Sequence, residues 1–597
     1  MKTIVCKIHI LFFIGALCTT AMAIEKPVKL KVIDLSFEGN AAFSEPKLLR
    51  TMITRPSGFL SPVYYYENIY NDDLNSLLSF YRRNGYLEAR IIDQRVEIDS
   101  LRRQVQIQIK IEEGQVTNVD GISLFGNQHF NETQLMKLVK LKIGDPLQHD
   151  KIQDTRLRIL THYANNGFLD AEVSPEIKIN YEAHRAYVDL MIVERAQFTI
   201  DQIVIIGLEK TKPGIVRREL LFKPDQIIKY SQLLQSQRKL YLTGLFQSVF
   251  IHPKPAASGD TTRKDIAIMI KENYTGEFNV TLGYGSIEKL RSRIEIFNTN
   301  LKGTARKIGL TTTLNFIHQG IEASFTEPWF LGKPWRFDAN FRRSFFDEPG
   351  YDLDQLGGKF TIGRTFFERS NISVIYRYEN NRLKNIRTTE IPDQFRSNLR
   401  TLKLTTIFDN RDNMFNTTRG VYLEWGNEMA GSFLSGTDTF VRTLGRAKYF
   451  RRLSDKTVFA SSLEFGWMKK FGKSKEIPLN ERFYTGGPNS IRGFPYRSVG
   501  PLDINRVEVG GNFKLVMNLC EIRRPIYKMF GGALFFDAGN VWRSFRTIHF
   551  SDIRIAPGLG LRIDTPIGIV RFDYGVNVFP RPGESVGAFF VSIGQAF

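Results

Sequence analysis

Residues 163–173 read Tyr163-Ala-Asn-Asn-Gly-Phe-Leu-Asp-Ala-Glu-Val173, and nearly the same phrase stands earlier as Tyr81-Arg-Arg-Asn-Gly-Tyr-Leu-Glu-Ala-Arg-Ile91. A looser third copy is Leu240-Tyr-Leu-Thr-Gly-Leu-Phe-Gln-Ser-Val-Phe250. Their glycines, Gly85, Gly167 and Gly244, are 82 and 77 residues apart, so the unit of organisation is a repeat of about 80 residues. Each copy is preceded by a short strand ending near a turn, at Gly39, Gly126 and Gly207. Each is followed by a strand closing on an acid, at Glu113, Glu194 and Glu272. Leu74, Leu77, Leu78 and Tyr81 fall at i, i+3, i+4, i+7, which predicts one face of a helix. Ile152, Ile159, Leu160 and Tyr163 do so in the second copy, and Leu233, Leu234, Leu240 and Tyr241 in the third. The glycine ends each helix, where a left-handed residue costs least. The order is strand, helix, helix, strand, strand, three times over.

From residue 278 the helical period disappears, and short alternating segments follow one another, punctuated by Gly, Asn, Asp and Pro. Sixteen can be counted. They include starts near Phe278, Gly357 and Val507, and the last begins near Val586. Twenty residues per segment suits a strand of about ten plus a turn, the repeat length of a transmembrane β-barrel. An even count closes such a sheet with both ends on one side. The final Phe589-Phe-Val-Ser-Ile-Gly-Gln-Ala-Phe597 is amphipathic and ends on an aromatic. An ordinary terminal strand of a soluble sheet is the alternative reading.

Composition narrows the classes. With 12% aromatic residues and 47 each of Gly and Phe among 597, the chain is too apolar for disorder. Residues 1–23 have the pattern of a secretory leader: Lys2 and Lys7, an apolar stretch from Ile8 to Leu17, and Ala21-Met22-Ala23. Beyond it no run is long and apolar enough for a spanning helix. Of the net charge of +20, residues 24–277 carry +2 and residues 278–597 carry +16. The basic residues are scattered through alternating strands, as at Arg336, Arg342 and Arg343, and no nucleic-acid-binding module accompanies them. They suit a charged lumen and loops facing anionic lipid head groups. Cys520 alone remains after the leader, so neither a disulfide nor a thiolate metal site is expected. No H-E-x-x-H pair or G-x-S-x-G elbow occurs. Gly466 to Ser474 mimics a phosphate loop, but five residues separate its glycines where four are needed. No catalytic residue, metal or cofactor is expected.

The repeat order and the N-G-[YF]-[LF]-[DE]-A phrase resemble POTRA domains, the periplasmic repeats of outer-membrane assembly and secretion barrels. Residues 409–420, Asp-Asn-Arg-Asp-Asn-Met-Phe-Asn-Thr-Thr-Arg-Gly, resemble the D-x-R-D…T-x-G turn of that BamA/TamA superfamily. Ile491-Arg492-Gly493-Phe494 resembles the [VI]-R-G-[FY] tip of its lumen loop, here about residues 469–506. Three repeats and the S-I-R-G-F…S-V-G-P phrase are similar to the TamA family, barrel subunits of translocation and assembly modules, more than to five-repeat BamA. The domains expected are a signal peptide (1–23), repeats at 24–113, 114–195 and 196–277, and a sixteen-stranded antiparallel transmembrane barrel at 278–597. The resemblance implies an outer-membrane location in a Gram-negative bacterium with periplasmic repeats. It implies unfolded barrel or autotransporter clients, and an inner-membrane-anchored TamB-like partner. It also makes Phe597 the C-terminal insertion signal.

Two site expectations follow. Glycine weakens a strand interior, so Gly283 and Gly285 in the first strand and Gly587 and Gly594 in the last mark a weak closing seam where a client strand could pair. The resemblance supplies Glu521 and Asp537 as lumen partners of Arg492, whose planar fork suits carboxylates. The alternative for Arg492 is a solvated loop tip touching lipid phosphates. For the whole chain the alternatives are a general BamA-type assembly role and a passive channel or secretion pore. The repeats could equally be structural spacers.

Overall fold

A computed structural model describes residues 29–58, 62–367, 369–389, 395–472, 474–566 and 568–593. The leader, Gly594 and Phe597 lie outside the described residues. The chain divides into two compact units, one ending at Gln197 and the other starting at Phe198.

The first unit holds two copies of the repeat. In the first, Lys31–Glu38 is followed by helices Glu45–Leu49 and Glu67–Arg83 and by strands Arg90–Asp99 and Gln104–Glu112. The last strand lies in the middle of the sheet, parallel to the first and antiparallel to the one before it. The second copy repeats this from Asn118–Phe125 to Arg185–Val193. The apolar helix face meets one side of each sheet: Leu77 and Tyr81 against Val105, Ile107 and Ile109, and Ile159 and Tyr163 against Val188 and Leu190.

Gly85, Gly167 and Gly244 all have positive φ just beyond their helices, as a left-handed helix terminator requires. Gly39, Gly126 and Gly207 are more constrained. Each has φ between +84° and +92°, and a Cβ there would lie 2.0–2.1 Å from a carbonyl oxygen of the central strand. The acids closing the repeats staple the loop that follows these glycines. Glu194 accepts from the N–H groups of Gln128 and His129, from the His129 ring and from the Tyr163 hydroxyl. Burial alone would raise its carboxyl pKa, yet these donors hold it below the usual range.

The second unit begins with the third repeat, Thr199–Ile206 to Arg263–Glu272. Here the helical reading needs correction: Leu233 and Leu240 are buried, but Leu234 and Tyr241 are 48% and 59% exposed. The inward position between them is Ser236, whose hydroxyl accepts the Leu221 N–H at 2.9 Å. Thr155 and Asp73 stand four residues before Ile159 and Leu77 and do the same, to Lys140 and to Ile53 and Thr54. A small polar side chain is spent on a loop N–H where periodicity alone expects an apolar one.

After the third repeat comes one sixteen-stranded antiparallel sheet, paired in sequence order from Gly276–Gly285 to Gly587–Ile593. Strands run from 7 to 15 residues, many longer than expected. Two boundaries differ from the sequence reading. The sixth strand starts at Tyr351, with Gly357 inside it, because a Cβ at Gly357 would fall 2.5 Å from the Tyr378 carbonyl and glycine lets the neighbouring strand close in. The twelfth starts at Phe513, because Val507–Asn512 stay in the long loop, bridged at Phe483–Gly511 and Leu502–Glu508. Alternation is plain in the first strand, where Phe278, Val280, Leu282 and Tyr284 are 51–68% exposed. The third repeat is keyed to the sheet through its turns. Asn300 donates to Thr211 at 2.8 Å, the Lys212 N–H to the Gly303 carbonyl at 3.0 Å, and the Trp329 indole to Glu219 at 2.7 Å.

Gly126→Ala should therefore destabilise the second repeat by more than the 1–2 kcal/mol of a left-handed non-glycine residue, since it adds a backbone collision. Gly144→Ala, with φ +88° but open space around it, should cost only the conformational strain. Hydrogen exchange across residues 185–193 measures both. Equal protection in the two variants would contradict the role given to the close approach.

Candidate functional site: the seam and the lumen loop

Two features distinguish this sheet from a uniformly closed cylinder. One is the seam. Among the described residues, every neighbouring pair of strands is zipped by a ladder, some with bulges, except the last and the first. Among the described residues these two meet through Ser286, just past the first strand. The Ser286 N–H donates to the Val591 carbonyl at 3.0 Å, and its hydroxyl accepts the Val591 N–H at 2.5 Å. A side-chain hydroxyl thus substitutes for one rung of a backbone ladder. Gly283 and Gly285 lie in the first strand and Gly587 in the last. A Cβ at Gly587 would fall 2.5 Å from the Gly575 carbonyl, so that glycine is also needed for close packing, whereas one at Gly283 would meet only the movable Arg291 side chain.

The other feature is the loop at 471–512, longer at its C-terminal end than the expected 469–506. It folds into the lumen. Ile491, Arg492 and Phe494 are 0–3% exposed. Ile491 and Phe494 pack on Val516 and Ala556 of the wall. Gly493 touches the wall so closely that a Cβ would sit 2.6 Å from that of Ala556. Arg492 is brought against both Glu521, in strand Phe513–Tyr527, and Asp537, in strand Phe530–Trp542. Its Nε and Nη2 fork onto Asp537 at 2.7 and 2.8 Å, its Nη1 donates to Glu521, and its backbone N–H reaches Asp537 at 3.1 Å. The guanidinium carbon lies 3.5 Å from the centre of the Phe535 ring. All three ionic side chains are fully buried.

The sequence reading missed several partners. Asp573 stands 4.0 Å from Arg492 and accepts from Arg562 at 2.6 Å, while Arg571 lies 3.4 Å away. Its signal was Arg571-Phe-Asp573, two inward positions of one strand. Asn518 bridges Asp537 and the Ser490 carbonyl, both at 2.8–2.9 Å. Two further anchors hold the loop elsewhere. Glu481 accepts from Arg377 at 3.0 Å and Arg442 at 2.8 Å, and Arg497 pairs with Glu348 at 3.0 Å. Glu481 immediately precedes Arg482-Phe-Tyr-Thr-Gly-Gly487, but a lone loop carboxylate carries no spacing signal.

Comparison with known proteins agrees with this architecture. Residues 300–597 match an Omp85 superfamily domain, and residues 30–114, 117–195 and 198–273 each match the POTRA repeat described as a surface antigen variable number repeat. The chain is 24% identical to the outer membrane protein assembly factor BamA of Nitratidesulfovibrio vulgaris, over 98% of this chain and 75% of that one. It is 22% identical to BamA of Neisseria meningitidis serogroup B, over 96% of this chain and 79% of that one. Among solved structures, BamA from Haemophilus ducreyi lacking POTRA domains 1–3 matches with TM-score 0.69 at 20% identity, covering 80% of this chain and 99% of that one. The sequence motifs, the repeat architecture and these matches agree: the chain belongs to the Omp85, or BamA/TamA, superfamily of outer-membrane barrels, whose POTRA repeats lie in the periplasm.

Proposed function

We propose that this chain is a non-enzymatic assembly factor that receives unfolded outer-membrane barrel proteins and inserts them by strand pairing at its seam. The observation that carries this reading is the Ser286–Val591 clasp standing where a full ladder would be. In lipid, each unmatched backbone group costs several kcal/mol. An edge held, among the described residues, by so few bonds is thus a place where an incoming strand gains partners without first breaking many. Supporting it, relatives over nearly the whole chain carry the name of assembly factors. These relatives favour the general BamA-type role. The three POTRA repeats in front of the barrel favour the narrower TamA-type role, with autotransporter-like clients and a TamB-like partner anchored in the inner membrane. The outer-membrane lipid is the third participant.

Arg492 acts in this proposal as a latch. It ties the loop to the two strands that follow it and so keeps the lumen filled while the seam is free to open. A buried ion pair is weak evidence for stability, but removing one partner strands the other's charge.

Three outcomes are expected. Joining Ser286→Cys to Val591→Cys with a short cross-linker, in a Cys520→Ala background, should block client assembly in a reconstituted assay and leave pore conductance unchanged. Normal assembly by the locked protein would remove strand pairing at the seam from the account. Arg492→Ala and Asp537→Ala should each cost about 3–5 kcal/mol locally and expose residues 471–512 to external protease. Their combination should be far from additive, and strictly additive losses would dissolve the latch. Lys at position 492 should rescue poorly, since it lacks the fork. Depleting the protein should separate the two roles: general loss of outer-membrane barrels marks the BamA type, and loss of a few autotransporter-like clients the TamA type.

A further inference from the structure

Strand parity orients the barrel. The first strand leaves the third repeat, so turns after even-numbered strands face the periplasm and the long loop after the eleventh faces outward. Three periplasmic turns, 410–419, 455–456 and 528–529, and the strand residues Asp564 and Ile569 converge on one cavity of about 250 Å³. Its charged lining is lopsided. Arg452, Lys456, Arg524 and Lys528 stand at its edge against Asp455 and Asp564, and Arg523 and Arg562 form its inner wall. Among the described residues neither Arg524 nor Lys528 forms an ion pair.

The inner wall adds an independent observation. Arg523 and Arg562 belong to the buried cluster around Arg492, where four arginines (492, 523, 562 and 571) face three carboxylates (Glu521, Asp537 and Asp573). A guanidinium with unsatisfied donors beside such a cavity is costly unless an acceptor completes it. Arg562 is 5% exposed. Its Nη1 donates to Asp573, yet its Nε and Nη2 have no hydrogen-bond partner, with Glu521 only at 3.8 Å from Nη2. The turn that closes the cavity, Tyr527 to Phe530, also carries Met529 and Phe530 at 47% and 41% exposure, next to Ile526 at 70%. An apolar rim thus lies beside a basic hollow.

We propose that this periplasmic vestibule binds a phosphate group. Guanidinium forks match phosphate oxygens in paired hydrogen bonds, and basic pockets at a membrane boundary capture anionic head groups. The cavity volume admits one such group. The apolar rim suits the glycerol and first acyl carbons of a phospholipid in the periplasmic leaflet, and free phosphate offers the same chemistry without the rim contact. A bound phosphate would supply acceptors to the unsatisfied Arg562 donors and tie the turn after the twelfth strand to its neighbours.

The test titrates the full-length protein in a zwitterionic detergent with dihexanoylphosphatidylglycerol, dihexanoylphosphatidylcholine or inorganic phosphate, following binding by calorimetry. The double variant Arg524→Gln/Lys528→Gln removes the rim charges and leaves the buried cluster untouched. Its heat-modifiable gel mobility reports whether the barrel is intact. Phosphatidylglycerol should bind one per chain, and the variant should bind at least tenfold more weakly while keeping its mobility. Phosphatidylglycerol binding at least tenfold tighter than inorganic phosphate identifies a lipid source, and equal affinities identify free phosphate; either supports the site. Binding of neither, equal binding of phosphatidylcholine, or wild-type affinity in the folded variant would overturn it.

Discussion

The constraint on which the rest depends is that a backbone crossing lipid has no water to bond. A sheet meets it only by closing, and closure makes each strand obligatory to its neighbours. Fifteen interfaces in this barrel obey with extended ladders, four of them interrupted by bulges. At the sixteenth, among the described residues, a serine hydroxyl substitutes for a rung. The difference is energetic before it is functional. Separating two laddered strands would strand many N–H and C=O groups at once, whereas releasing Val591 from Ser286 strands few. The function proposed for the seam is therefore the local relaxation of a rule that the remainder of the barrel enforces.

Relaxing one interface places a burden on the interior. Ridges of side chains fill small barrels, but here a loop does so, and a loop needs fixing points. Among the described residues, three of them are ionic, on different walls and with alternating polarity: Glu481 between Arg377 and Arg442, Arg492 between Glu521 and Asp537, and Arg497 on Glu348. With a carboxylate at one anchor and guanidinium groups at the other two, a shifted register would set like charges together. Buried ion pairs are a poor source of net stability but a good source of uniqueness, which is what a plug crossing a lumen requires. The excess basic charge of the C-terminal half finds its place here: much of it points inward onto acids.

How much of this was legible follows from which interactions leave a period. The repeats were readable because a helix face and a terminating glycine recur at fixed spacing, as Leu77–Gly85 and Ile159–Gly167 show. The barrel was readable because lipid-facing residues alternate, as Phe278 to Tyr284 do. Leu234 and Tyr241 misled because two apolar residues adjoin the true face, while Ser236, Thr155 and Asp73 are inward yet polar. Their partners are loop N–H groups, which no hydrophobicity pattern encodes. Ser286, Asp573 and Glu481 share that difficulty. Each acts on a group far away in sequence, so its meaning exists only after the strands are in register. Arg492 was the exception, legible through a family phrase rather than through physics.

The third repeat shows how a common scaffold is turned to a particular use. In all three copies an acid at the end of the central strand gathers the loop after the first strand: Glu113 binds the Ala42 N–H, Glu194 those of Gln128 and His129, and Glu272 those of Glu209, Lys210 and Thr211. In the first two copies that loop serves its own fold. In the third, Thr211 also receives the Asn300 amide, and the Lys212 N–H meets Gly303, whose missing Cβ would lie 2.0 Å from the Lys210 carbonyl. The staple that stabilises a repeat thus presents, in the last one, a preformed edge to a barrel turn. Burial holds the Glu272 carboxyl pKa up, but its three backbone donors bring it below the usual range, so the staple stays charged through the neutral pH range.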